Sequence, residues 1–364
     1  MLALSIFFQF YLSFIFQFIQ EIKLYKKIIF IFSLVAFYIF FYGITDTADW
    51  GMYDSLFKYE EIETDFLFRY LSLLTFALGY TFEDLFKLHI IIYGYFFVKF
   101  ISRFTQNILL VLGFYVLIAY VPLANQIRYY LALSLFLNGL YLFYFNEKKK
   151  SYLFFIFSLL SHSSMLVLFS FLLIEKRYSF SEYVKKCLLI SLIIFFGYHI
   201  IVSFGLLDFL GKFKVYLIST ELVSGIFGGI FNEFPFMFTL AALYFWLQSI
   251  IRKLPEILED KVFVFLYKLT FFSIIFIPIS FNMQVIGHRY VQAFFIVWLC
   301  LFVYTLHFIK TKENDIKNFI LLSVFIIFLV YYNYFFSGII LGEKSSYYLE
   351  FVKSYNSIEY LPDI

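Results

Sequence analysis

Residues 125–165 read NQIRYYLALSLFLNGLYLFYFNEKKKSYLFFIFSLLSHSSM, and the way this stretch divides decides the fold. Arg128 opens one apolar segment, a lysine cluster at 148–150 closes it, and His162 sits among serines in the next. An arginine at the centre of a membrane helix costs about 2.5 to 3.5 kcal/mol on insertion scales, so a charge kept there reads as functional. Placing Arg128 and His162 requires the topology of the whole chain.

Of the 364 residues, 63% are hydrophobic and 26% aromatic, only 15% are charged, and the mean hydropathy is +0.88. Apolar runs reach the roughly 20 residues that cross a bilayer, which makes the chain an all-α polytopic membrane protein. The net charge of +3 is spread over short basic clusters between apolar runs, an arrangement that suits membrane orientation and not nucleic acid. Residues 1–20 lack a basic lead and a small-residue cleavage site, so they read as a retained span. Cys187 and Cys300 read as small core residues, and no nucleotide-binding glycine loop is present.

Basic clusters fall at 23–27, 99–103, 148–150, 176–186, 252–261 and 310–317. If all face the cytoplasm, an even number of crossings separates each from the next. Spans are then expected at 2–19, 28–44, 85–102, 108–123, 126–145, 187–205, 233–251, 262–281, 290–309 and 318–336. Residues 66–80 form a short interfacial helix, and external loops cover about 45–84 and 206–232, with an external tail over 337–364. The apolar stretch 151–174 is long enough for one crossing but must make an even number. A re-entrant hairpin broken at 161–164 resolves this, with Ser161, His162, Ser163 and Ser164 satisfying the freed backbone groups. The expected whole is a single integral membrane domain over 1–364, with about ten transmembrane helices plus the hairpin.

Parity sets Arg128, Arg289 and the acidic stretch 45–65 on the external side. On one helix Asn125, Arg128, Ala132 and Gly139 share a face, with Tyr129 and Phe136 pointing elsewhere. Arg289 repeats the pattern, with Gln292 and Ala293 one turn on. Two guanidiniums of this kind suit bidentate capture of phosphate or diphosphate, whereas a simple interfacial anchor is the alternative. His162 is a candidate general base or hydrogen-bonding ligand, against the plainer reading of a satisfied core histidine. His288, beside Arg289, is a weaker ligand candidate. In DTADWGMYDSLF, Asp46, Asp49 and Tyr53 share one face of a short helix capped by Asp46 or Thr47, and a sugar ring could stack on Trp50 or Tyr53. Histidine spacing supports no metal site, and no cofactor is called for.

D-W-G-M-Y at Asp49, N-Q-I-R-Y-Y-L-A-L-S-L at Asn125, L-L-S-H-S-S-M-L at Leu159 and H-R-Y at His288 together resemble the EpsG family of Wzy-like polysaccharide polymerases. The resemblance runs in order over most of the chain. It implies a GT-C-like bundle and a metal-independent glycosyltransferase. Such an enzyme joins oligosaccharide repeat units carried on undecaprenyl diphosphate, at the outer face of the bacterial plasma membrane, into capsule, O-antigen or exopolysaccharide. It carries functional roles onto Asp49, Tyr53, Arg128, His162 and Arg289. The partners it implies are the lipid-linked oligosaccharide, the bilayer and a chain-length regulator. Tyr129 stands where the family often has Gln, and Ser161 where a bulky aromatic often precedes the histidine, departures that bear on acceptor specificity. The alternatives are an O-antigen ligase or other membrane glycosyltransferase on a similar scaffold, and a lipid-linked oligosaccharide flippase or other transporter.

Overall fold

The computed structural model describes residues 23–45, 47, 49–59, 65–205, 226–309, 324 and 328–329, with the side chains of 23–25, 284 and 288 left undefined. The described residues are overwhelmingly helical and include no β-strand. Expected spans 2–19 and 318–336, and the tail from 337, lie wholly or largely outside them. Among the described residues, those up to Ser170 form one compact unit and those from Phe171 another.

The first unit runs α1 (Lys23–Tyr42), α2 (Trp50–Tyr59), α3 (Phe66–Ala77), α4 (Phe82–Ile101), α5 (Ile108–Asn125), α6 (Ile127–Tyr144) and α7 (Lys148–Ser161), then a 3-10 turn over Ser163–Phe169. α4 starts on a capping box in which Asp84 N–H donates to Thr81 Oγ1 at 3.4 Å and Thr81 N–H donates to Asp84 Oδ2 at 2.9 Å. α4 packs between α1 and α6, and Asn138 of α6 donates to Phe96 O and Ser134 O at 2.8 Å each. α5 is apolar all round and 89% buried, as such a helix must be when it lies inside a bundle. Its last turns are irregular. Ala119 leaves helical geometry (φ −106°, ψ 15°) one turn before Pro122, whose ring displaces a backbone hydrogen bond.

α3 has 12 residues, about 18 Å at 1.5 Å per residue, too short for a 30 Å hydrocarbon core and in keeping with a non-spanning helix. The expected loop over 45–84 is therefore mostly helix, holding α2 and α3. α6 and α7 pack face to face: a methyl group added at Gly139 would lie 2.8 Å from the Phe155 ring, and Ser158 Oγ donates to Ala132 O at 2.8 Å. Small residues on α6 thus serve close packing.

At His162 the chain reverses. Phe155 and Phe169 are 14 residues apart, which in a continuous helix would separate them by about 21 Å, yet their ring centroids are 4.9 Å apart. Phe136 of α6 meets both rings, at 5.5 and 5.2 Å.

The second unit follows from α8 (Ser170–Arg177) through α9 (Phe180–Ser203), α10 (Ile226–Lys253), α11 (Lys261–Phe272), α12 (Ile277–Ser280), α13 (Gln284–Tyr290) and α14 (Phe295–Leu306). α10 begins inside the stretch expected as the 206–232 loop. Five described stretches are long and apolar enough to cross a membrane: Ile108–Asn125, Phe180–Ser203, Ile226–Lys253, Lys261–Ser280 and Val285–Leu306. Only 11% of the apolar window of α9 is buried, so Leu188, Leu192, Ile193 and Phe196 present an outer surface fit for lipid. Lys268, inside α11, donates to Glu175 O at 2.8 Å and Tyr178 O at 3.2 Å, placing its cation at the C-terminal end of α8 where free carbonyls and the helix dipole favour it.

Candidate functional site

Arg128 lies in the first turn of α6, immediately after Gln126 breaks the chain out of α5 (φ −106°, ψ 50°). Asn125 therefore ends α5 and does not ride on the face of α6 that carries Arg128, as the continuous apolar pattern led us to expect. The guanidinium lies against aromatic rings, its carbon 4.9 Å from the Tyr53 centroid and 5.4 Å from that of Phe68. A flat, delocalised cation gains from such faces where a compact ammonium would gain less.

Its ionic partner is Asp65, which the sequence reading left as one acid among several in a loop. Arg128 Nη1 donates to Asp65 Oδ2 at 2.8 Å, with the side chains 16% and 6% exposed. Asp65 Oδ1 also accepts from Ser163 N–H at 3.4 Å, a long bond that reaches the turn after His162. Arg128 Nε is buried and has no hydrogen-bond partner among the described residues. Asp65 stands at the N-cap position of α3 in a left-handed conformation (φ 65°, ψ 52°), yet its side chain makes no cap hydrogen bond. Aspartate tolerates this region better than most residues, and here the backbone aims the carboxylate away from its own helix.

His162 closes α7 and opens the following turn in extended geometry (φ −159°, ψ 116°). Its Nδ1 accepts from Ser164 N–H at 3.2 Å and lies 2.9 Å from Ser164 Oγ. An imidazole nitrogen that accepts a backbone N–H carries no proton, which puts the proton of the neutral ring on Nε2. Tyr129, expected to point elsewhere, meets the His162 ring edge-on at 5.7 Å.

Asp49 is half-buried and precedes α2, its carbonyl accepting from Tyr53 N–H at 3.0 Å, the bond an N-cap residue makes. Tyr53 is 5% exposed and stacks toward Phe82 at 6.2 Å, while Trp50 meets Phe82 and Phe86 at 4.8 and 5.1 Å. These rings pack against protein, with Tyr53 serving as a shelf for Arg128. Asp46 lies outside the described residues.

Arg128, Asp65, Tyr53, Phe68, Ser163 and the His162 turn therefore meet within the first unit. Arg289 belongs to the second, half-buried on the seven-residue α13. That helix ends at Tyr290, and Val291 (φ −113°, ψ −63°) separates it from a 3-10 turn holding Gln292 and Ala293, so Gln292 is not one regular turn beyond Arg289. Gln292 is 3% exposed; the side chain of His288 is outside the described residues. A residue overlooked in the sequence is Glu233, fully buried in α10, against which Gly287 of α13 packs so closely that any side chain there would strike its carboxylate. An ionisable group enclosed in a membrane-length apolar helix marks a functional region by default.

Helices long and apolar enough to cross a membrane make this a polytopic helical membrane protein, with an arginine–aspartate pair packed against the turn where α7 folds back. More narrowly, it belongs to the EpsG family, whose model matches residues 28–351, which gives it a polysaccharide polymerase-like role. No significant match was found among curated proteins or among solved structures.

Proposed function

We propose that this protein polymerises oligosaccharide repeat units carried on undecaprenyl diphosphate into surface polysaccharide, at the outer face of the bacterial plasma membrane, with the hairpin broken at His162 re-entrant in the bilayer. The observation that carries the reading is the Arg128 guanidinium, lying against the Tyr53 and Phe68 rings beside that hairpin in a chain of the EpsG family. A hydroxyl of one repeat unit attacks the anomeric carbon of the other chain, the C–O bond to phosphate breaks, and the diphosphate leaves with the electron pair. Arg128 stabilises the charge that develops there, the work a preorganised cation does best in a water-poor site. Asp49, one turn before the Tyr53 shelf, takes the hydroxyl proton. His162 donates from Nε2 to a sugar oxygen. Arg289 and Gln292 are assigned a phosphate-binding role in the second unit.

Gene deletion and complementation, followed by gel analysis of the surface polysaccharide, test the reading. Deletion should remove the long-chain ladder and retain single-unit material, with the ladder restored by the wild-type gene. Loss of both ladder and single units would point instead to export of the lipid-linked unit.

A further inference from the structure

The Asp65 carboxylate does not sit where its sequence position would put it. An aspartate at the N-cap of a 12-residue helix ordinarily accepts from the helix's own first N–H groups, and Asp65 leaves that bond unmade. Its two oxygens turn instead to Arg128 Nη1 and to the backbone N–H of Ser163 at the start of a turn. A guanidinium and a backbone N–H converging on one carboxylate are the donors that hold a phosphate oxygen. The contact with Arg128 is single, through Nη1, and the buried Nε of the same guanidinium has no partner among the described residues. The carboxylate thus fills part of an anion seat whose full capacity it does not use.

We propose that Asp65 is a resident counter-anion in the seat of the lipid diphosphate, and that the ligand must displace it, which makes Asp65 a determinant of selectivity for diphosphates over weaker anions. This rests on the reading of Arg128 as the diphosphate-binding cation. Leaving Arg128 unpaired in a water-poor site is costly, so a resident acid stabilises the ligand-free state. A ligand carrying two phosphates can engage both the Nη1 and Nε edges and repay the displacement, whereas a single small anion cannot.

The sign of one measurement decides the matter. Purified full-length protein is titrated with undecaprenyl diphosphate and separately with inorganic phosphate, comparing wild type with Asp65→Asn, Asp65→Gly and Arg128→Ala. Asparagine and glycine both accept the left-handed backbone, so either variant removes the charge without straining the turn. Like charges held within a few ångströms in a half-buried site repel strongly, so both variants should bind undecaprenyl diphosphate at least about tenfold tighter. They should also gain measurable affinity for inorganic phosphate. Weaker or unchanged diphosphate binding in Asp65→Asn and Asp65→Gly overturns the proposal and leaves Asp65 a fixed support for Arg128. Should Arg128→Ala bind undecaprenyl diphosphate as well as wild type, it is the underlying assignment of Arg128 that fails, whatever the Asp65 variants do.

Discussion

Arg128 and Arg289 look alike in the sequence, each opening an apolar segment at the same expected side of the membrane, but the structure gives them different settings. Arg128 stands at the start of an 18-residue helix, against two aromatic rings and paired with a nearly enclosed carboxylate. Arg289 stands near the end of a seven-residue helix that breaks at Val291 and packs through Gly287 against the buried Glu233. Residues 287 and 289 are two positions apart and so face different sides of α13, which keeps Glu233 from being the obvious mirror of Asp65. The difference teaches that a charge in an apolar run is visible in the sequence, while its partner is set by tertiary folding over long sequence separations.

The sharpest contrast is expected from alanine at the two arginines. Arg128→Ala strands the Asp65 carboxylate with 6% exposure, so it should cost about 3 to 5 kcal/mol and lower both the accumulation and the thermal stability of the protein as well as abolishing polymer. Arg289→Ala should abolish polymer with little change in accumulation. Equal accumulation of the two variants in membrane fractions would remove the energetic distinction drawn between them.

Next comes close packing in each unit. Gly139→Ala brings a methyl group to 2.8 Å from the Phe155 ring and Gly287→Ala drives one into the Glu233 carboxylate, so both should destabilise by about 1 to 3 kcal/mol in thermal denaturation of the purified protein. The Gly287 variant should cost more, since the approach there is much closer than at Gly139. A larger loss at Gly139 would reverse that ordering.

A smaller effect is expected at His162. Asparagine accepts a backbone N–H as an N-cap, so His162→Asn should preserve the break and the fold, changing stability by less than about 1 kcal/mol. Polymer should fall with the lost Nε2 donor. Full polymer in this variant would reduce His162 to a cap. The hairpin itself can be tested by labelling. Single cysteines replacing Lys148 and Phe180 in a background lacking Cys187 and Cys300 should both resist an impermeant thiol reagent in whole cells, and one replacing Leu56 should react. Labelling at 180 alone among the first two would mean that the stretch crosses once.

The fold-back was legible because it followed from counting: basic clusters at 148–150 and 176–186 enclose one apolar run of membrane length, and the polar residues 161–164 sit at its centre. Arg128 stood out because a charge is rare in such a run. Asp65 was not, since it shares a stretch with six other acids and its partner lies 63 residues away; only the left-handed backbone at φ 65° singles it out. Asn125 was misplaced because apolar periodicity continues across Gln126, and the break there is a matter of two torsion angles in a stretch with no glycine. Lys268 was read through as part of a span, its carbonyl partners at the end of α8 being invisible in the pattern.

The claim on which the account most depends is that Arg128 acts through its planar fork as well as its charge. Arg128→Lys keeps the cation that Asp65 needs, so the protein should still accumulate, but an ammonium cannot offer two parallel donors to a diphosphate. Expressed at wild-type level in the deletion strain, Arg128→Lys should therefore show single-unit material without the long-chain ladder on a polysaccharide gel. A normal ladder from that variant would contradict the account.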